Sequence, residues 1–102
     1  NILDDTPFAI NPAGFTIHSA IHEVRDDAHC VIHLHTKETI AVATQQNGLL
    51  PLSQYSMFSL PSLSYHGYEG VAVNSDEKKR LQDDLANTNH MLLVNLLMIC
   101  QV

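Results

Sequence analysis

Seven of the 102 residues are histidine, and four of the seven fall between His22 and His35. His33 and His35 stand two apart in the run Ala28-His29-Cys30-Val31-Ile32-His33-Leu34-His35. The run is β-compatible and predicts a buried strand over 28–35. Side chains alternate along a strand, so His29, Val31, His33 and His35 share one face and Cys30, Ile32 and Leu34 the other. Two imidazoles at i and i+2 are close enough to reach one cation, and neutral imidazole suits Zn²⁺ and similar borderline metals. The same spacing also serves a pair of hydrogen-bonded structural histidines, and the spacing alone leaves both readings open. His18 and His66 are candidates for proton transfer by chemistry only, each with a structural role as the competing reading. His22, His29 and His90 have less to recommend them, and no catalytic residue is assigned.

Several elements must position these groups. Pro7, Pro12 and Gly14 around Phe8-Ala9-Ile10 suggest a short strand and a turn. From Phe15 to about Asp26, Ile17, Ala20, Ile21 and Val24 recur at helical steps, with His18 and His22 on an adjacent stripe. Thr36 suits the cap of a helix carrying Ile40 to Ala43, which Asn47-Gly48 ends through left-handed backbone. Leu49 to Val73 reads as short strands and turns, given Pro51, Pro61, Gly67 and Gly70. Asn74 with Glu77 forms the signature of a capping box, opening a helix that buries Leu81 and Leu85 and breaks at Asn87-Thr88-Asn89. Met91 to Ile99 reads as one strand buried on both faces. Alternating helices and strands favour a layered α/β domain, with the parallel or antiparallel sense of its sheet left open.

The apolar fraction of 45% with 16% charged residues fits one globular domain over residues 1–102. Five Lys and Arg against eleven Asp and Glu give a net charge of −6, which offers no broad positive field to nucleic acid or to anionic membranes. Lys78-Lys79-Arg80 sits among Asp76, Glu77, Asp83 and Asp84 and reads as a solvated helix face. Cys30 and Cys100 lie in apolar runs, where thiols act as small buried hydrophobes, and no close-spaced Cys/His pattern is present. Both features fit a reducing cytoplasm. The apolar stretch Met91 to Cys100 is about half the ~20 residues that span a bilayer.

The stretch Ile10-Asn11-Pro12-Ala13-Gly14-Phe15-Thr16-Ile17-His18-Ser19-Ala20-Ile21-His22, followed by Asp27 to Thr36, resembles the middle of the class II aldolase/adducin family. Gly48-Leu49-Leu50-Pro51-Leu52-Ser53-Gln54, Tyr65-His66-Gly67-Tyr68-Glu69-Gly70 and Met91-Leu92-Leu93-Val94-Asn95 extend the resemblance in order through nearly the whole chain. It implies a three-layer α/β/α domain with a central mixed or antiparallel sheet. It also implies that His33 and His35 are two ligands of a divalent metal, usually zinc, in a protein that forms homo-oligomers.

This sequence departs from the family in two places. Its third histidine ligand belongs to an Asn-His-Gly motif, whereas Asn95 is followed here by Leu96 and Leu97. Either Leu96 replaces the ligand, or the His and Gly are absent and the leucines match the apolar pair that follows; a break in the chain after Asn95 is a third account. The family's catalytic carboxylate falls in the Gly14 region, where no Asp or Glu stands. The family domain is also about twice this long, so the sequence reads as an incomplete domain without its phosphate-binding loop. Two functions follow from the resemblance. One is a metal-dependent aldolase or lyase acting on a small hydroxy-carbonyl, sugar-phosphate-like compound. The alternative is a non-catalytic adducin-like assembly or binding module with a degenerate metal site.

Overall fold

A computed structural model of the protein describes residues 5–67, 69–70, 75–94 and 98–101, with Ser75 and 98–101 as backbone. The first helix, α1, spans Pro12–His22. Asn11 caps it, its side-chain oxygen accepting from the amides of Ala13 at 3.0 Å and Gly14 at 3.4 Å. Pro12 takes the first helical position, where no amide is needed. The helix therefore starts three residues before the expected Phe15. The strand expected at Phe8-Ala9-Ile10 does not form, and Phe8 and Ile10 are exposed. Val24 was expected on the buried face; it lies beyond the helix end and is exposed.

Helix α2 spans Lys37–Ala43, with the Thr36 hydroxyl accepting from the Thr39 amide as its cap. It ends before Asn47-Gly48, and only Gly48 of that pair has a positive φ, of 60°. The segment expected to hold only strands and turns contains α3, Gln54–Ser59, and a 3-10 turn, Leu60–Ser62. A reciprocal capping box between Ser53 and Ser56 starts α3. Serine at the third helical position, in place of Glu or Gln, hides that box from a sequence pattern. Helix α4, Ser75–Leu85, lies where expected, and Ala86 at φ 45° turns the chain out of it. The proposed Asn74 cap lies outside the described residues.

Four strands form one sheet in the order β1-β4-β3-β2: β1 Ile32–Leu34, β2 Leu63–His66, β3 His90–Leu93 and β4 Met98–Gln101. β2 and β3 pair in parallel and the other pairs are antiparallel. The sheet is thus mixed. The single strand expected over 91–99 is two antiparallel strands on either side of Asn95, the polar, turn-compatible residue in the run whose signal the expectation passed over. Asn95 and Leu96, where a ligand or a chain break was in question, lie outside the described residues. So does the side chain of Cys100.

Met91 and Leu93 of β3 meet Ile17, Ala20 and Ile21 of α1 and Leu81 and Leu85 of α4 in one buried cluster. Burying each large side chain there stabilises the fold by about 1.5–3 kcal/mol. Leu92 points the other way, toward Val42 of α2 and Ser56 of α3. Helices therefore lie on both faces of the sheet. β1 does not match the buried strand expected over 28–35. It is three residues long at the sheet edge, Ile32 and Leu34 are 42% and 43% exposed, and Cys30 is exposed as a free thiol. Position at an edge, not residue type, leaves that face uncovered. Among the described residues no helix is long and apolar enough to cross a membrane.

Candidate functional site

β1 presents His33 toward the α1 side of the sheet, and His35 follows on the same face just past the strand end. The Nε2 atoms of the two rings lie 2.6 Å apart, with ring centroids 4.6 Å apart and planes tilted by 49°. One ring nitrogen must then donate and the other accept. Two ring nitrogens this close share a hydrogen bond in this structure, and the same two donors could face one cation. Tetrahedral zinc at ~2.0–2.1 Å from each would need them about 3.3 Å apart, a small spreading of the rings.

Burial, then the neighbouring His35 and His18, pushes the His33 imidazole down to about 4 from its ordinary 6.5. At neutral pH it is uncharged, the form that binds a metal. Its Nδ1 is buried without a hydrogen-bond partner among the described residues. Metal-bound histidines usually donate from that second nitrogen, so this pair lacks the outer support of a finished centre. Among the described residues no group of three or more His, Cys, Asp or Glu side chains could hold a metal ion. The first turn of α1, near Gly14, holds no acidic residue. The donors fit a metal as two ligands of a larger set.

The other histidines are dispersed. His18 on α1 acts electrostatically on His33. His22 and His29 are exposed. His90 lines a cavity of about 350 Å³ with Val42, Ser56, Leu63 and Leu92 on the opposite face of the sheet. His66 is on β2, three strand spacings from β1, or about 14 Å. It is 1% exposed, and its Nδ1 donates to Asp84 Oδ2 at 2.7 Å. Its Nε2 has no hydrogen-bond partner among the described residues and lies 3.9 Å from Glu69 and 4.0 Å from Glu77.

Sequence reasoning missed this second polar cluster. Glu77 is 2% exposed, and burial and Glu69 raise its pKa. Glu69 is in turn held in the ionised range by Arg80, which donates to both its oxygens. Glu77 stands four residues before Leu81 on the same helical stripe, and that spacing was the available signal.

The family model described as Class II Aldolase and Adducin N-terminal domain matches residues 1–96. A Pseudomonas aeruginosa protein whose name assigns it provisionally to class 2 aldolases is 62% identical over 93 residues, covering 91% of this chain and 36% of its own. Rat alpha-adducin is 40% identical over 89 residues, covering 87% of this chain and 12% of its own. The crystal structure of an aldolase II superfamily protein from Pseudomonas syringae superposes with a TM-score of 0.89 at 45% identity, over 96% of this chain and 39% of that one. The chain thus spans little more than a third of these bacterial relatives.

Proposed function

The chain belongs to the class II aldolase and adducin family, and from that premise we propose that His33 and His35 are its contribution to a divalent-metal centre of an aldolase or related lyase. The convergence of the two Nε2 atoms at 2.6 Å carries this reading. Neutral imidazoles suit zinc and similar borderline metals. A divalent ion held by His33 and His35 would supply Lewis acidity toward the oxygens of a small hydroxy-carbonyl compound. The protein's own part is to fix two neutral donors on a strand and to keep His33 unprotonated through burial. No described residue beside the pair is assigned as acid or base.

Zinc or manganese content after purification tests the reading, repeated with His33→Ala and His35→Ala combined. Metal near one per site that vanishes in the double variant supports it. A metal-free unmodified protein that binds no added zinc would sink it.

A second reading is a non-catalytic adducin-like assembly module. Two observations favour it: the 40% identity to alpha-adducin, and the lack of a third metal-holding side chain among the described residues. Both readings fit a cytoplasmic homo-oligomer.

A further inference from the structure

We infer that the joint between β2 and α4 is a proton-operated latch, in which His66 and Glu77 close on one proton taken up in mild acid and stand apart without it, independently of any metal at His33 and His35. Glu77, Leu81 and Asp84 fall at i, i+4 and i+7, one stripe of α4. The two acids are ~10.5 Å apart along the helix axis. Leu81 is buried between them, and the buried ring of His66 meets both acids, Asp84 at Nδ1 and Glu77 at Nε2.

Nδ1 donates to Asp84 at 2.7 Å, so the neutral ring offers a lone pair at Nε2. That lone pair is buried and faces two carboxylates, Glu69 at 3.9 Å and Glu77 at 4.0 Å. An acceptor facing acceptors gains no hydrogen bond, and a buried polar group left so is costly. One added proton reverses the relationship. A donor then stands between the groups, and Glu77 needs to move only about 1 Å to reach the ~2.7–3.2 Å of a hydrogen bond. Its terminal torsion is soft enough for that. The 4.0 Å gap is the spacing of the open latch.

Glu77 is the acid that takes the proton. Arg80 donates to both oxygens of Glu69 and holds it ionised. Burial of Glu77 and the fixed charge of Glu69 favour the neutral carboxyl, and His66 and Arg80 oppose this less strongly. β3 sets Leu93 beside His66, and α1 brings Ile17, Ala20 and Ile21 into the core shared with Leu81. Glu23 of α1 is engaged by Lys78, Asp76 acts on Arg80, and His90 opens onto the opposite face of the sheet. The strand side is fixed by the sheet, where the His66 carbonyl accepts from the Val94 amide at 2.8 Å. α4 is therefore the part that responds.

Between the ordinary 4.5 of a glutamate and the higher value of folded Glu77, the folded chain binds this proton and the unfolded chain does not. The joint therefore gains stability as pH falls through that interval. His33, pushed down to about 4, acts in the opposite sense.

NMR of the isotope-labelled, unmodified chain, with amide exchange of α4 measured over the same pH series, tests the latch. The Glu77 carboxyl carbon and His66 Nε2 should shift together with one midpoint above 4.5, the mark of a shared proton. Over that interval the α4 opening constant, corrected for the intrinsic pH dependence of exchange, should fall relative to Glu77→Gln by up to about 10-fold per pH unit. The amide of Glu77→Gln is a permanent donor to Nε2, and the effects of His33 and Asp27 are common to both chains and cancel. Separate midpoints for the two groups, or Glu77 titrating at or below its ordinary value, overturn the shared proton. Joint titration with α4 exchange running parallel in both chains overturns the latch. Should Glu77→Gln fail to fold, α4 amides set against those of α2 in the unmodified chain give the same comparison, and parallel exchange there overturns the latch equally.

Discussion

His66 on β2 donates from Nδ1 to Asp84 on α4 at 2.7 Å, fastening the strand to the helix above it. The histidine is buried while Asp84 is 43% exposed, so the two ends of the bond are unequal. Removing the carboxylate strands a buried N–H; removing the imidazole leaves a wet carboxylate and a hole.

Asp84→Ala should therefore cost about 1–3 kcal/mol, the penalty of leaving a buried polar group without its partner. Urea unfolding should show a lower midpoint at an unchanged slope. An unaltered midpoint would mean that Nδ1 finds water instead. Asp84→Asn keeps an acceptor in place and should recover most of the loss.

The fold was legible where local period decides burial. Ile17, Ala20 and Ile21 on α1 and Leu81 and Leu85 on α4 are the buried faces that helical spacing indicates. The His-x-His pair was legible too, since alternation alone puts both rings on one side. What could not be read depends on long-range placement. Ile32 and Leu34 have the composition of core residues, yet β1 sits at an edge, and strand order is not written in a strand's own residues. Helix α3 was hidden because Ser53 and Ser56 complete a capping box that the usual Glu or Gln pattern misses. The burial of Glu77 runs against its charge and is explained only once His66 is placed beside it.

Arg25 joins the end of α1 to the end of α4. It is 9% exposed and donates to the carbonyls of Thr88 at 2.9 Å and Ala86 at 3.4 Å, while Asp27 accepts twice from its other nitrogens. Arg25→Ala should cost about 2–3 kcal/mol through lost charge-assisted hydrogen bonds. Thermal unfolding followed by circular dichroism gives the measurement. Arg25 also holds the Asp27 carboxyl at about 2, below its ordinary 3.8. The unfolded chain then takes up this proton first, so the link contributes above pH ~4 and is lost as pH falls toward 2. That acid-limb loss should be absent in Asp27→Asn.

His33 gives a second pH dependence, in a different window. Its folded value is about 4 against an ordinary 6.5. Between those values the unfolded chain binds the proton and the folded chain does not, so stability contributed by neutral His33 is complete above 6.5 and declines as pH drops to 4. In metal-free protein, His33→Asn should flatten the stability curve in that interval relative to the unmodified chain. Parallel curves would show that His33 is as accessible to protons folded as unfolded.

Gly48 and Tyr65 form a tight contact whose two costs can be separated. Gly48 has φ +60°, and a Cβ built there would lie 2.6 Å from the Tyr65 ring. The ring cannot swing away freely, because its hydroxyl accepts from the Leu49 amide at 3.1 Å. Gly48→Ala should therefore lose about 1–2 kcal/mol to left-handed backbone and about 1 kcal/mol more as the hydrogen bond yields. Tyr65→Ala removes the ring and the bond while leaving the backbone cost untouched. Combining the two substitutions should then cost less than the sum of the single losses, because the clash no longer exists in the Tyr65→Ala background. Strict additivity in chemical denaturation would show that Tyr65 moves aside without penalty, leaving the Gly48 backbone as the whole of the effect.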